Sequence, residues 1–290
     1  MKPYGNDKVI DMTIMSLIFI AGIFCLVPLL HIFALSLSAN GPILSGKVTI
    51  FPVDIDFTAY KTVFGNPAMI HSLFFTIGLV ALFTVISMFM TVIAAYPLTK
   101  PRLKGRNFFL LFIVLTMFFS GGMIPDYLLV KNLMLLDTIW ALILPGMINA
   151  FYLIIIKTFF SSIPVELEES ARMDGAGHFK ILTHVVLPLS LPVLATLSLF
   201  YAVGRWNGFM DALLYITNAE LYPLQLKLYE MVINSQVNDM AIAEGMNAAA
   251  PIPESLKAAS IMFATIPILL VYPWLQRYFI SGMMIGAVKG

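Results

Sequence analysis

The chain has 290 residues, 60% of them hydrophobic and 11% charged, with a formal net charge of +1. A soluble domain carries about a quarter charged residues, so a water-soluble fold is excluded and an all-α polytopic membrane protein is expected. The near-neutral charge averages over two compartments and identifies no partner.

Six transmembrane helices are expected, at roughly 9–37, 70–98, 107–130, 138–160, 185–216 and 258–280. Each is long enough to cross ~30 Å of hydrocarbon. The first run is too long for a cleaved signal peptide and lacks a small-x-small site. Cys25, the single cysteine, lies in that run and is expected to be buried packing. One cysteine excludes an internal disulfide and a cysteine-based metal cluster.

The connection 38–69 opens on GPILSGKVT, where Gly41, Gly46 and Lys47 fit the phosphate-binding pattern G-x-x-x-x-G-K-[ST]. Val48 stands where Mg²⁺ needs a hydroxyl. A long apolar helix precedes the stretch instead of a buried strand. A turn-rich loop is the better reading, and this subunit is not expected to hydrolyse ATP.

Orientation follows from Lys and Arg. Placing the N-terminus, 99–106, 157–184 and the C-terminus on one side gathers 11 of the 17 there. The short loop KPRLKGR (100–106) is the strongest anchor. Both termini are therefore expected in the cytoplasm, with 38–69 and 217–257 extracellular. Asp126 and Asp137 fall at an outer loop as solvated caps. His31, His71, His178 and His184 sit at span ends with no metal-like spacing, and no metal is expected.

Residues 161–192 read SSIPVELEESARMDGAGHFKILTHVVLPLSLP. The pattern predicts two short helices around a glycine elbow, a cytoplasmic loop over 161–184. Ser162 is expected to cap the first helix, and Pro164 suits its first turn. Glu166, Glu168 and Glu169 oppose the helix dipole, and Glu168 faces Arg172 at i, i+4. Gly175 and Gly177 permit the reversal. Phe179, Leu182 and Val186 begin a face that runs into the fifth span, and Pro188 and Pro192 fall in that span's first turns.

This loop resembles the permease subunits of bacterial ABC importers, whose pattern is E-A-A-x3-G-x9-I-x-L-P. It matches as Glu169, Ser170, Ala171, Gly175, Val185, Leu187 and Pro188, with Ser170 and Val185 as mild departures. The longer EESARMDGA is similar to the carbohydrate-type, maltose-permease-like branch. FSGGMIPDYLLVKNLMLLDTIWALILPG (119–146), YAVGRWNGFMDALLYI (201–216), LYPLQL (221–226) and GAVKG (286–290) resemble an oligosaccharide-importer subgroup with lipoprotein-type names.

The resemblance implies a type I ABC importer permease fold in a bacterial cell membrane. The loop would be a coupling helix seated on a cytoplasmic ATPase subunit. Glu169 would pair with a basic ATPase residue, Ala171 would permit close approach, Gly175 would make the elbow and Asp174 would cap or brace it, with Ser170 and Phe179 also among the coupling residues. The implied partners are a homologous permease, two ATPase subunits that hold ATP and Mg²⁺, an extracytoplasmic solute-binding protein and an oligosaccharide, neutral or acidic. No cofactor on this chain and no nucleic acid is implied.

In the fifth span, GRWNGFMD (204–211) is the richest polar cluster. Trp206, Asn207, Asp211 and Tyr215 are candidates to line a sugar path, since polar groups within spans are functional by default. The competing reading makes Arg205 and Trp206 interfacial anchors and Asn207 the cap of a break at Gly204. The connection 217–257 is long enough to suggest a role, and Asn234–Glu254 is a candidate surface for the binding protein. The alternatives are a permease for a non-sugar solute, an ion-coupled carrier or an intramembrane enzyme. A carrier wants ionisable groups deep in several spans and an enzyme wants a metal or nucleophile constellation; neither is evident.

Overall fold

The computed structural model describes residues 5–243 and 253–287, with side chains placed for 10–236 and 253–271. Among these residues all regular elements are helical, apart from one isolated antiparallel bridge between Ser38 and Ile55. Residues 244–252 of the candidate binding-protein surface and residues 288–290 of the GAVKG tail lie outside the described set.

In chain order, α1 (Gly5–Ser36) is followed by short α2 (Asn40–Leu44) and α3 (Thr58–Gly65), then α4 (Pro67–Ala95). Next come α5 (Arg106–Phe118), α6 (Met123–Asn132) and α7 (Ala150–Ser162), then α8 (Val165–Met173) and α9 (His178–Ile181). A π-turn at Leu182–Val186 leads to α10 (Leu187–Leu189), α11 (Leu191–Asn207), α12 (Met210–Tyr215), α13 (Leu224–Ala243) and α14 (Glu254–Ala287). Two compact units result, one from Met1–Ile70 and Lys227–Pro267, the other from His71–Leu226 and Ile268–Gly290.

Among the described residues, three helical stretches are unbroken and apolar enough to cross a membrane: Ile10–Ser36, Pro67–Thr99 and Glu254–Val271. The other expected spans are broken, which corrects their predicted continuity. Span 107–130 divides into α5 and α6, bent by 117°. Gly122 sits there at φ +88°, outside the helical region and open to glycine without a Cβ clash. Span 138–160 keeps only a 3₁₀ turn at Ile139–Leu142 before α7, because Pro145 withholds a backbone donor between them. Span 185–216 bends by 83° between His178–Leu189 and Leu191–Asn207. Pro192 cannot donate to the carbonyl four residues back, and Ser190 leaves helical geometry at φ −99°, ψ 4°. The connection 217–257 holds a 20-residue helix, α13, whose sequence contains neither Gly nor Pro.

The second unit has a core of Ala95, Tyr96, Leu98, Leu153, Ile156, Phe160, Ile181, Leu182, Val186, Val193 and Leu197, drawn from α4, α7, α9 and α11 and from the turns beside them. In the first unit, Ser36 Oγ lies 2.9 Å from the Tyr60 hydroxyl and Phe64 meets Phe263 edge-on at 5.2 Å. Most large side chains of α1 face outward, Phe24 at 80% exposure among them. Cys25 is exposed as well, so it does not pack inside this chain as expected: α1 keeps its apolar surface off the chain's own core.

Asp137, at φ +58°, ties the 3₁₀ turn's approach to the strand-like exit from α12. Its carboxylate accepts from Thr217 Oγ1 at 2.6 Å and from the backbone N–H groups of Thr217 and Asn218. The Thr217 hydroxyl, then those amides, hold its carboxyl below the usual range. A depressed folded value stabilises above the unfolded pKa of ~3.9 and is lost as pH falls through the folded value. Thr217→Val should therefore begin acid unfolding at a higher pH than wild type, measured by thermal unfolding of purified protein across pH 3–6, about the carboxylate range. Coincident acid profiles would remove this role from Asp137.

Candidate functional site

Two features of the second unit carry chemistry. The first is the elbow after α8. Pro164 takes the N-cap position, and Glu166 and Glu168 occupy the first turn. Ser162 does not cap this helix, contrary to expectation, because its hydroxyl donates back to Phe159 O at the end of α7.

At the other end Gly175 stands at φ +80°. Its N–H donates to Arg172 O at 2.9 Å, and Ala176 N–H donates to Ala171 O at 2.9 Å. Those two bonds make a Schellman motif, which satisfies the last carbonyls and fixes the direction of exit. Ala171 and Ala176 close it from inside, packed against the unit's core. Glu169, Ser170, Asp174 and Gly175 stay exposed, with Asp174 as the C-cap. Met173 and Phe179 are 88% and 78% exposed, so the elbow presents an apolar tip beside acidic side chains.

Glu168 does not serve the expected i, i+4 pair. It turns to Lys100, whose Nζ donates to Oε1 at 2.6 Å, with both side chains mostly buried. Lys100 also lies over the Tyr96 ring at 4.3 Å. The basic loop 100–106 is thus the bracket that joins α8 to the end of α4, a role that counting its charges did not reveal. A groove of about 790 Å³ lies between the loop and α8, lined by Arg102, Arg106, Glu168, Glu169 and Arg172 among others.

The second feature is a recess of about 290 Å³ beside the break between α11 and α12. Phe83, Tyr201 and Arg205 form its buried floor; Tyr152, Phe200 and Asp211 are half-buried, and Asn149 and Gly204 are exposed. The Arg205 Nη2 donates to Asp211 Oδ1 at 2.9 Å, and Nη1 donates to Oδ2. Nη1 also reaches Leu142 O at 3.0 Å. Gly208 allows this fork to close, since a Cβ there would lie 3.0 Å from Nη2. The Arg205 Nε and Trp206 Nε1 are buried and have no hydrogen-bond partner among the described residues.

The expected path residues separate. Asp211 enters the recess. Trp206 is buried at 8% exposure and Tyr215 at 6%, the latter stacked on Tyr127 at 6.3 Å. Neither lines the recess. The anchor reading of Arg205 and Trp206 is also corrected, because both side chains are buried within the protein and not turned outward as an anchor would be. Asn207 ends α11 with its amide on Val203 O, and the break falls at Gly208, not at Gly204.

Sequence reasoning missed Asn149, Tyr152 and Tyr201. Asn149 precedes an apolar run as an N-cap does, and its side chain accepts from Phe151 and Tyr152 N–H groups. The tyrosines carry no local signal, because what unites them is a contact from α7 to α11 at 4.8 Å.

A helical chain with an exposed Schellman elbow, broken spans and a polar recess has the character of a membrane transport subunit. The chain belongs to the family of binding-protein-dependent transport system inner membrane components, whose model matches residues 7–285. It is 45% identical to "Protein LplC" of Bacillus subtilis strain 168 across 95% of this chain and 94% of that one. It is 41% identical to the polygalacturonan/rhamnogalacturonan transport system permease protein YtcP of the same strain, covering 98% and 100%. A crystal structure of a bacterial ABC transporter involved in import of the acidic polysaccharide alginate contains a chain 36% identical to this one. That chain superposes with a TM-score of 0.86, over 96% of this chain and 99% of its own.

Removing Asp211 would leave the Arg205 charge buried without its carboxylate. Asp211→Ala should cost about 3 kcal/mol, the low end for a broken buried pair because Asp211 is partly exposed. Thermal unfolding in detergent checks this; an unfolding temperature equal to wild type would show that the pair stabilises nothing.

Proposed function

We propose that this chain forms one half of the translocation path of an ATP-driven, binding-protein-dependent oligosaccharide importer. It would pair with a homologous permease, with two cytoplasmic ATPase subunits that bind ATP and Mg²⁺ and with an extracytoplasmic solute-binding protein. Two of the relatives are named for acidic polymers, which favours an acidic oligosaccharide. In this reading the three unbroken helices, the bent stretch of α5 and α6, α7 and α11 make six spans, with both termini cytoplasmic and α8 outside the membrane. Residues 38–69 and 217–257 lie outside, 161–184 inside.

The observation that carries the reading is the α8 elbow, held rigid from behind and exposed in front. Glu169, Ser170, Asp174, Gly175 and Phe179 offer the ATPase an acidic and apolar surface, while Ala171 seats the helix on its own bundle. Lys100 and Glu168 would carry motion of the elbow to α4. Closure of two ATPase subunits would then move rigid spans rather than a loose loop.

Gly175→Asp tests the elbow. A non-glycine residue at φ +80° costs about 1–2 kcal/mol locally, and its carboxylate enlarges an already acidic tip. The complex with its partner permease, ATPase and binding protein should still assemble in proteoliposomes but lose saccharide-stimulated ATP hydrolysis. Undiminished stimulation would remove the coupling role from this elbow. A panel of oligosaccharides screened on the wild-type complex identifies the cargo, and stimulation by none of them would defeat the carbohydrate reading.

A further inference from the structure

We infer that the recess of Tyr152, Phe200, Gly204 and Asp211 is a subsite for a single sugar ring, recognised by its hydroxyls and its apolar face rather than by charge. This rests on the carbohydrate reading above and goes beyond it by assigning a cargo contact to this chain.

Gly204 is the first observation. It sits inside α11, where glycine costs about 1 kcal/mol relative to alanine. Local packing does not explain that cost: a Cβ at Gly204 would meet nothing within 4 Å. Gly208, by contrast, is filled by the Arg205 fork, and Gly146 lies 3.7 Å from the Phe83 ring. What the missing side chain of Gly204 leaves open is the recess it lines.

The second observation is the chemistry of the walls. Tyr152 and Phe200 present half-buried rings 5.9 Å apart, suited to the CH face of a pyranose. Asp211 spends one acceptor site of each oxygen on Arg205 and remains 31% exposed, so it can accept from hydroxyls. Arg205, more than nine-tenths buried, keeps an unpartnered Nε–H beside it. Paired to Asp211, the guanidinium adds no net charge. The recess therefore offers acceptors and aromatic faces without selecting an anion. At about 290 Å³ it stands at the small end of ligand pockets, roughly 300–1,000 Å³, so it admits one ring and not an oligomer.

The test uses the full complex in proteoliposomes, reading sugar uptake and ATP hydrolysis together. The probe is an oligosaccharide that stimulates the wild-type complex. Gly204→Leu extends an apolar side chain toward the recess from a Cβ that meets nothing within 4 Å; Gly204→Ala is the control. Gly204→Leu should lower uptake per ATP hydrolysed by about tenfold or more, with stimulated hydrolysis within about twofold of wild type and Gly204→Ala near normal. Tyr152→Ala should lower the same ratio, and Tyr152→Phe, which keeps the ring, should restore most of it. Wild-type uptake per ATP in Gly204→Leu overturns the assignment, as does equal loss in Tyr152→Phe and Tyr152→Ala. Loss of the partner permease from the Gly204→Leu complex also overturns it, because the glycine then serves helix contact. So does loss of stimulated hydrolysis in both Gly204→Leu and Tyr152→Ala, which gives the recess to the conformational cycle. A wild-type complex that no saccharide stimulates is a separate failure, of the carbohydrate reading itself, and is seen before any variant is made.

Discussion

Every break in a membrane helix exposes backbone donors and acceptors that lipid cannot satisfy, and this chain breaks three of its candidate spans. The polar side chains of the second unit are placed where those breaks need partners. Asn149 N–H, at the start of α7, donates to the Tyr201 hydroxyl at 3.0 Å, and that hydroxyl lies 2.8 Å from Thr91 Oγ1. Leu142 O, released by the end of its 3₁₀ turn, accepts from Arg205. Leu224 N–H, opening α13, donates to Thr76 Oγ1 at 2.8 Å. Tyrosine, arginine and threonine here replace water, which is why isolated polar residues recur in an otherwise apolar chain.

The same requirement places both candidate sites at breaks. Where α11 ends at Gly208, the Arg205 fork holds α12 and the 139–142 turn together, and the space beside it is the recess. Where α7 ends and α8 begins, the chain turns by 69°, and the exposed elbow follows. A straight helix at either place would satisfy its backbone internally but would leave neither a recess nor a projecting tip. Rigidity comes from different sources at the two sites. The recess is braced by a buried charge pair, whose removal on one side is costly. The elbow is braced by backbone geometry at Gly175 and by Lys100 clamped between Glu168 and the Tyr96 ring.

The elbow was legible in the sequence because its physics is local. A proline, three glutamates and two glycines within 15 residues state a short helix and its end. The partner of Glu168 was not legible, since Lys100 is 68 residues away and a nearer cation, Arg172, satisfied the i, i+4 rule. Hydropathy found the spans but could not find their breaks. Apolar composition reports what lipid tolerates, not where Gly122, Pro145 or Pro192 interrupts the ladder. The recess fell between these cases. GRWNGFMD drew attention as a polar cluster, yet only Gly204, Arg205, Gly208 and Asp211 reach the recess. Which residues of a broken helix face inward depends on the break's angle, and no periodicity encodes that angle.

Charge compensation in the recess constrains how an acidic cargo could be handled. A fixed, unpaired arginine would hold each passing carboxylate strongly in surroundings of low dielectric, and release would become slow. On the reading proposed above, with Asp211 already bound to Arg205, an incoming carboxylate would meet a neutral pair and an aromatic wall, and its passage would depend on the shape and hydroxyls of the ring. Selection by charge then belongs where solvent can exchange with the site. In a binding-protein-dependent system that is the binding protein, met before the membrane. The buried pair in this chain is better suited to conduct than to choose.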